Sequence, residues 1–207
     1  YYLGDDAFYN GLKKYLNDNA YNSVEIHQLR IAMEAVSGED LNWFFNQWFL
    51  ASGHPILAID YNYDNNKIQQ VVNVEQIQDQ SNTNIYKLPF AVDIYVDGEA
   101  KRYLAEMTQK KQQFVFDVSK EPSNVIFDAE HMLLAEIFDE KSDESWLEQM
   151  YSPLYMDSKI ALDNISDKNG YQSVIQALNS KFWGIRLIGV RKAAKLKNKD
   201  EFLSLIV

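Results

Sequence analysis

The sequence predicts a multidomain α+β protein, because three zones of the 207-residue chain differ in the spacing of their apolar residues. Residues 1–54 and 141–207 repeat apolar positions at helical spacing, whereas residues 55–140 hold short β-branched runs between turn residues. The length suits one large domain or two to three small ones, at ~100–200 residues per domain. We therefore expect a helical zone, an antiparallel β-sandwich and a second helical zone, in that order.

Three helices are expected in residues 1–54. The first begins after Gly4 with Asp5 as its cap, and the second is capped by Ser23 and ends at Ser37-Gly38. The third, Leu41–Leu50, contains five aromatic residues and is apolar nearly all round. A helix of that kind must be buried on more than one side, so we expect it in a core or at a domain junction.

Roughly seven short strands are expected in residues 55–140, which is typical of a sandwich. The clearest runs are 56–61, 68–74, 85–96, 101–107, 114–116 and 125–127. Phe90, Val92 and Ile94 alternate with Ala91, Asp93 and Tyr95, so the two sets face opposite sides of one strand. Asp97-Gly98 is a strong signal for a two-residue hairpin turn.

Residues 141–207 predict several short helices stacked as pairs, the first of them capped by Ser142. A basic run from Lys181 to Lys199 holds seven Lys or Arg residues and no acidic residue. We favour a solvated helix face over an anion, acidic-partner or nucleic-acid site, because only Phe182 and Trp183 accompany the charges. Trp183 and Arg186, three residues apart, are expected to pack between helices.

Composition narrows the function classes. The chain is 46% hydrophobic and 24% charged, which excludes a disordered protein. Its net charge of −10 argues against a general nucleic-acid binder, and no apolar run approaches the ~18 residues of a membrane span. It contains no cysteine, which excludes thiolate zinc sites and disulfides but leaves the cellular compartment open.

The sequence offers few candidates for catalytic or metal-binding residues. His27, His54 and His131 lack the i, i+4 spacing of a helical zinc site, and we interpret each as a surface or loop residue. The carboxylate pairs Asp5-Asp6 and Glu39-Asp40 stand at helix starts or turns, where capping and solvation explain them. We therefore predict no catalytic, substrate-binding or metal-binding residue in this chain.

An ordered set of short motifs nevertheless resembles one family. The motifs are LGDDAF (residues 3–8), GLKKYL (11–16), SGEDL (37–41), WFFNQW (43–48) and GHP (53–55). In this order and spacing they are similar to the end of the catalytic domain in zinc aminopeptidases of the aminopeptidase N family. The segment Ala177–Arg186 looks like a HEAT-type repeat.

The resemblance implies the tail of a thermolysin-like catalytic domain over residues 1–54, a β-sandwich over 55–140 and the start of a HEAT-like superhelical domain over 141–207. It also implies a zinc cofactor in the parent enzyme, held by an H-E-x-x-H motif and a further Glu that would precede Tyr1. Tyr1 and Tyr2 do not match the family's catalytic tyrosine, and Ala32–Ala35 does not match its substrate-binding motif. The resemblance further suggests that Arg186 or Arg191 lines the substrate cavity.

We therefore expect an excised piece of a zinc metalloaminopeptidase, a hydrolase that removes N-terminal amino acids from peptides. The piece itself is expected to be structural and inactive alone, with the remainder of its own polypeptide as partner. The alternative is a non-catalytic binding or scaffold module, in which the sandwich and the helical repeats form a partner platform.

Overall fold

The computed structural model describes residues 1–81, 83–166 and 169–195, and in these ranges it has a mixed α+β architecture. The first zone contains helices α1 (Asp5–Asp18), α2 (Ile26–Ser37) and α3 (Asn42–Phe45), and α3 continues as a π-helical turn (Asn46–Leu50). The sandwich zone contains seven strands. The last zone contains helices α4 (Asp143–Gln149), α5 (Tyr155–Asn164), α6 (Gly170–Leu178) and α7 (Trp183–Ala193).

Two predicted helix caps are wrong. Gly4 is the N-cap of α1, in the left-handed region at φ 73°, and Asp5 is the first helical residue, where its charge suits the helix dipole. Helix α2 begins after Glu25 rather than Ser23, because Glu25 and Gln28 form a capping box in which each side chain bonds the other's backbone N–H. The predicted end at Gly38 is confirmed, with φ 74° and a bond of 2.9 Å from its N–H to the Glu34 carbonyl.

The aromatic segment 41–50 is buried only in part. Leu41 and Phe45 lie in the core of the first zone, with α1 and α2. Phe49 and Leu50 are 50% and 56% exposed, so the expected burial on more than one side is wrong at this end. The winding changes from α to π at Asn46, ahead of these exposed residues.

Two sheets form the sandwich. One has the order β5-β2-β1-β7 and the other the order β4-β3-β6. The strands are β1 (Ile56–Asp64), β2 (Gln69–Gln76), β3 (Leu88–Val96), β4 (Glu99–Met107), β5 (Lys111–Asp117), β6 (Asn124–Phe127) and β7 (Glu136–Asp139). Four of the five strand pairings in the described residues are antiparallel, but β7 runs parallel to β1, which corrects the expectation of a wholly antiparallel sandwich.

The alternation predicted on β3 is confirmed. Phe90, Val92 and Ile94 face the other sheet and share one core with residues such as Leu57 and Ile59. The opposite face of β3 is covered as well, since Ala91 lies in a small apolar cluster with Ile126, Ala129 and Tyr95. This second face turns towards the last helical zone, because α4 contacts β6.

The predicted hairpin turn is confirmed. Asp97 and Gly98 have φ values of 57° and 79°, and they connect the paired residues Val96 and Glu99. Two consecutive left-handed residues are the geometry that matches the right-handed twist of the flanking strands.

The last zone has its own apolar core. Ser142 caps α4 as predicted, because its hydroxyl accepts a hydrogen bond of 3.2 Å from the Ser145 N–H. Helix α4 packs against α5, and α6 packs against α7. Within the described ranges, no helix is long and apolar enough to cross a membrane.

Helices α1 and α2 approach closely at Gly11. A Cβ there would lie 2.4 Å from Met33 Sδ and 3.3 Å from Met33 Cα. Met33 is buried and has little room to move. We predict that Gly11→Ala destabilises the chain by about 1 kcal/mol, because an overpacking cost of ~1–3 kcal/mol exceeds the helix-propensity gain of ~1 kcal/mol.

Urea unfolding of Gly11→Ala and of Asn10→Ala tests this packing. Asn10 is the exposed neighbour on the same helix, so its replacement is expected to be neutral or slightly stabilising. If Gly11→Ala is as stable as Asn10→Ala, the close approach is not a constraint.

Candidate functional site

The first junction joins the helical zone to the sandwich through the aromatic segment. The Gln47 side chain donates to the Lys87 carbonyl at 3.0 Å and accepts from the Lys87 N–H at 2.7 Å. Trp48 packs against the sandwich core, with its ring centroid 5.3 Å from that of Tyr86. The Lys87 ammonium lies 4.6 Å from the Trp43 ring centroid. The segment therefore packs the first zone against the sandwich, as the sequence predicts for a junction helix.

The second junction joins the sandwich to the last helical zone, and it is polar. Lys141 lies between β7 and α4, and only 2% of its side chain is exposed. Its ammonium group lies 3.2 Å from Asp139 Oδ2 and donates to Gln149 Oε1 at 2.6 Å. It also lies 4.6 Å from the Trp146 ring centroid and 5.5 Å from that of Tyr61. A single cation thus contacts strands and helix together.

Burial changes the proton affinities of this group. Desolvation lowers the pKa of Lys141 and raises the pKa of Asp139, because it disfavours the charged form of each side chain. The pKa of Tyr61 is raised well above its usual value, mainly by burial and secondarily by the Asp139 charge. The Tyr61 hydroxyl and Asp139 Oδ1 are buried without a well-formed hydrogen bond to any described residue. The charged form of each of these two side chains, Lys141 and Asp139, is therefore stabilised by the charge of the other.

His131 forms the second polar contact of this junction. Its Nε2 lies 2.6 Å from Oδ1 of Asp157, a residue of α5 whose side chain is 2% exposed. The other carboxylate oxygen of Asp157 accepts a hydrogen bond from the Ser152 hydroxyl. The hydrogen bond to Asp157 raises the pKa of His131, although partial burial opposes it.

A tight turn aims His131 at α5. Asp128 and His131 both have left-handed backbone, at φ 49° and 53°. The Asp128 carboxylate accepts from the N–H groups of Met132 and Leu133 at 3.1 and 3.0 Å, which fixes the loop after His131. Burial raises the pKa of Asp128. Non-glycine residues in this backbone region persist only where surrounding contacts hold them.

The order of these groups does not suit nucleophilic catalysis. In a Ser-His-Asp triad the histidine lies between the acid and the hydroxyl and takes the proton of the nucleophile. Here the carboxylate of Asp157 lies between His131 and Ser152, so His131 cannot act as base towards that hydroxyl. A cleft of about 500 Å³ lies beside His131, Asp139 and Gln149. The arrangement connects the loop after β6 to helix α5.

The three histidines divide by environment. His27 is exposed on α2, as expected. His54 is an exposed loop residue, as expected, and its Nε2 lies 2.8 Å from Glu136 Oε1. His131 is a loop residue, as expected, and in addition its imidazole contacts Asp157 of α5, twenty-six positions along the chain. Nothing in the local sequence around His131 signals that contact.

The described residues do not fit a zinc ion. Among them, no group of three or more His, Cys, Asp or Glu side chains converges. The pairs His54–Glu136 and His131–Asp157 each supply two donors, whereas a catalytic zinc takes three protein ligands. The described residues therefore do not supply a catalytic zinc site.

The carboxylate pairs have the local roles that the sequence predicts. Asp5 and Asp6 occupy the first turn of α1. Asp40 accepts a hydrogen bond of 2.8 Å from the Asn42 N–H, and the bonds from Asn42 lower the pKa of this carboxyl.

Two residues of the basic run donate hydrogen bonds to backbone carbonyls. Lys192 donates to the Leu162 carbonyl at 2.8 Å, at the C-terminal end of α5. Arg186 donates to the carbonyls of Ser180 and Lys181 at 2.8 and 3.0 Å. The expectation for Trp183 is wrong, because that side chain is 73% exposed. Arg191 is exposed, and Lys197 and Lys199 lie outside the described residues.

The buried pair at the second junction leads to a stability prediction. We expect Lys141→Met to lower the free energy of unfolding by about 3–5 kcal/mol, because it leaves the Asp139 carboxylate buried without its cation. The double variant Lys141→Met/Asp139→Leu is expected to recover most of that loss, since it removes both charges. Urea unfolding measures all three chains.

The matched control is Lys159→Met, which breaks the exposed Lys159–Asp163 pair of α5. It should cost less than about 1 kcal/mol. A loss of similar size for Lys141→Met and Lys159→Met would contradict the account of Lys141.

Comparison with known proteins finds similarity to aminopeptidases. No family model matches the chain. Aminopeptidase N of Escherichia coli (strain K12) is 28% identical over 149 residues, which are 65% of this chain and 16% of that protein. The alanine/arginine aminopeptidase of Saccharomyces cerevisiae (strain ATCC 204508 / S288c) is 20% identical over 207 residues, covering 98% of this chain and 22% of that protein.

A solved structure shares the fold. The crystal structure of Legionella pneumophila aminopeptidase A in complex with aspartic acid matches 95% of this chain with a TM-score of 0.67, at 15% identity, over 23% of its own chain. The chain thus spans less than a quarter of the length of these relatives. The resemblance carried by the motifs of residues 3–55 is confirmed: this chain is similar to aminopeptidases of the aminopeptidase N family over part of their length.

Proposed function

We propose that this chain is a structural part of a zinc metalloaminopeptidase that removes N-terminal amino acids from peptides. The observation that supports the proposal is the match to aminopeptidases along nearly the whole chain, at 98% coverage by the yeast relative. Since those relatives are more than four times longer, the activity would belong to a longer polypeptide and not to these residues alone.

In that polypeptide, zinc would polarise the scissile carbonyl and activate a water molecule. Its ligands would come from outside this chain, because the described residues offer no set of three donors. The contribution of this chain is positional. Gln47 and Trp48 attach the first helical zone to the sandwich, and Lys141 and His131 attach the last helical zone to it.

The sandwich then acts as a spacer between the tail of the catalytic domain, residues 1–54, and the start of a HEAT-like superhelical domain, residues 141–207. Each flanking zone has its own apolar core, so the sandwich sets their separation while Trp48 of the first zone packs against the sandwich core. The partner of the chain is the remainder of its own polypeptide. Exposed apolar side chains on α1, such as Tyr9 and Leu16 at 64% and 66% exposure, suit a covered surface in that assembly.

Zinc content and turnover test the proposal. We expect the 207-residue chain to bind no stoichiometric zinc by elemental analysis and to release no product from aminoacyl amide substrates, because its described residues offer no set of three zinc ligands. A longer polypeptide that contains the chain and an upstream H-E-x-x-H motif is expected to bind zinc stoichiometrically and to release product from the same substrates. Stoichiometric zinc or turnover in the 207-residue chain would overturn the structural role.

The alternative is a non-catalytic binding or scaffold module. It predicts that a longer polypeptide carrying the chain binds no zinc and has no aminopeptidase activity while it still folds. That result would favour a platform built from the sandwich and the helices.

A further inference from the structure

We propose that His131 and Asp157 form a proton-operated latch between the sandwich and the last helical zone. When His131 is protonated the latch holds the two parts in one arrangement, and when His131 is neutral the parts separate more readily. The proposal does not depend on catalysis, because neither residue belongs to a reaction derived for this chain.

The first support is the division of the apolar cores. One cluster fills the sandwich, and a separate cluster fills the last helical zone around Trp146, Leu162 and Ile185. Between them lie polar contacts and a small apolar cluster around Ala91 and Ala129. Interfaces that are polar and modest in area permit relative motion of the parts that they join.

The second support is the burial of the Asp157 charge. Its side chain is 2% exposed and accepts hydrogen bonds from His131 and from Ser152, of which only His131 can bring a positive charge. A buried carboxylate that loses its hydrogen-bonded counter-charge is destabilised even though the Lys141 charge still attracts it, and exposure to water removes that cost. Loss of the His131 proton therefore favours the open arrangement.

Other charged groups around His131 modify the latch but do not replace it. Asp128 precedes it in the same turn, and its charge favours the protonated histidine. Lys141, from the segment before α4, opposes that protonation. Glu130 is engaged by Arg102 of β4. On β3, Tyr95 faces Asp157 and Ser152.

The sign of the pH effect follows from the direction of the pKa shift. The pKa of His131 is raised above its value of about 6.5 in an unfolded chain, mainly by the hydrogen bond to Asp157. Such a group contributes its full stabilisation below about pH 6.5 and loses it as the pH rises through the raised pKa. The latch is thus closed in mildly acidic solution and weaker in mildly alkaline solution.

Fluorescence energy transfer within the chain tests the latch directly. The chain contains no cysteine, so dyes can be attached at Asn66→Cys, in the turn between β1 and β2, and Gln172→Cys, on α6, both exposed positions. We expect one narrow distance population at pH 5.5 and a growing second population as the pH rises to 8.5. The opening equilibrium should change tenfold for each unit by which the His131 titration midpoint lies above 6.5.

Two histidine variants separate the latch from general pH effects. In His131→Gln the distance distribution should not change between pH 5.5 and 8.5. His54→Gln, which removes the exposed pair with Glu136, should follow the unsubstituted chain. The proposal is overturned if the unsubstituted chain shows no pH dependence, or if His131→Gln keeps it.

Magnetic resonance of the unsubstituted chain gives a test that does not rely on a variant folding. The imidazole signal of His131 should titrate above 6.5, with the same midpoint as the change in energy transfer. A titration midpoint at or below 6.5, or two different midpoints, would also overturn the latch.

Discussion

The chain divides its buried apolar surface into separate clusters, and this division makes the junctions between them decisive. The first helical zone, the sandwich and the last helical zone each bury their own large side chains. Apolar burial therefore stabilises each part but does little to fix the parts relative to one another. That task falls to a small number of contacts at the junctions, which are the packing of Trp48 beside Tyr86, the two hydrogen bonds of Gln47, the contacts of the Lys141 ammonium and the contact of His131 with Asp157.

The two junctions differ in their physical character. At the first, an aromatic side chain enters the sandwich core while an amide bonds the backbone, and neither group titrates near neutral pH. At the second, charged side chains lie almost out of water, where they are stable only as partners. The Gln47 and Trp48 contacts should therefore be insensitive to pH, whereas the second junction carries a histidine whose charge changes near physiological pH. The chain is proposed to hold a catalytic domain and a superhelical domain apart. This difference means that pH would affect its attachment to the superhelical domain more than its attachment to the catalytic domain.

Most features set by local sequence could be predicted, apart from the N-caps of α1 and α2, whereas the strand pairing and side-chain contacts set by distant residues could not. The Asp97-Gly98 turn, the Ser142 cap and the end of α2 at Gly38 depend on residues close in sequence, and all three are confirmed. Strand β7 has only four residues, and its parallel pairing depends on β1, about eighty positions away.

The candidate site shows the same limit. The role of His131 depends on its contact with Asp157, and the role of Lys141 depends on its burial between Tyr61 and Trp146. No motif near either residue in the sequence predicts these contacts. The family resemblance came instead from motifs of residues 3–55, which describe the first helical zone and say nothing about the second junction.

Amide hydrogen exchange along the unsubstituted chain tests the separation of the parts most directly. If the three clusters are independent, slowly exchanging amides should fall into groups with distinct opening free energies, one for each zone. The amides of β3 and of α5 should then differ, although the two elements are joined through the second junction. A single opening free energy shared by the protected amides of all three zones would show one continuous cooperative core and would contradict the account.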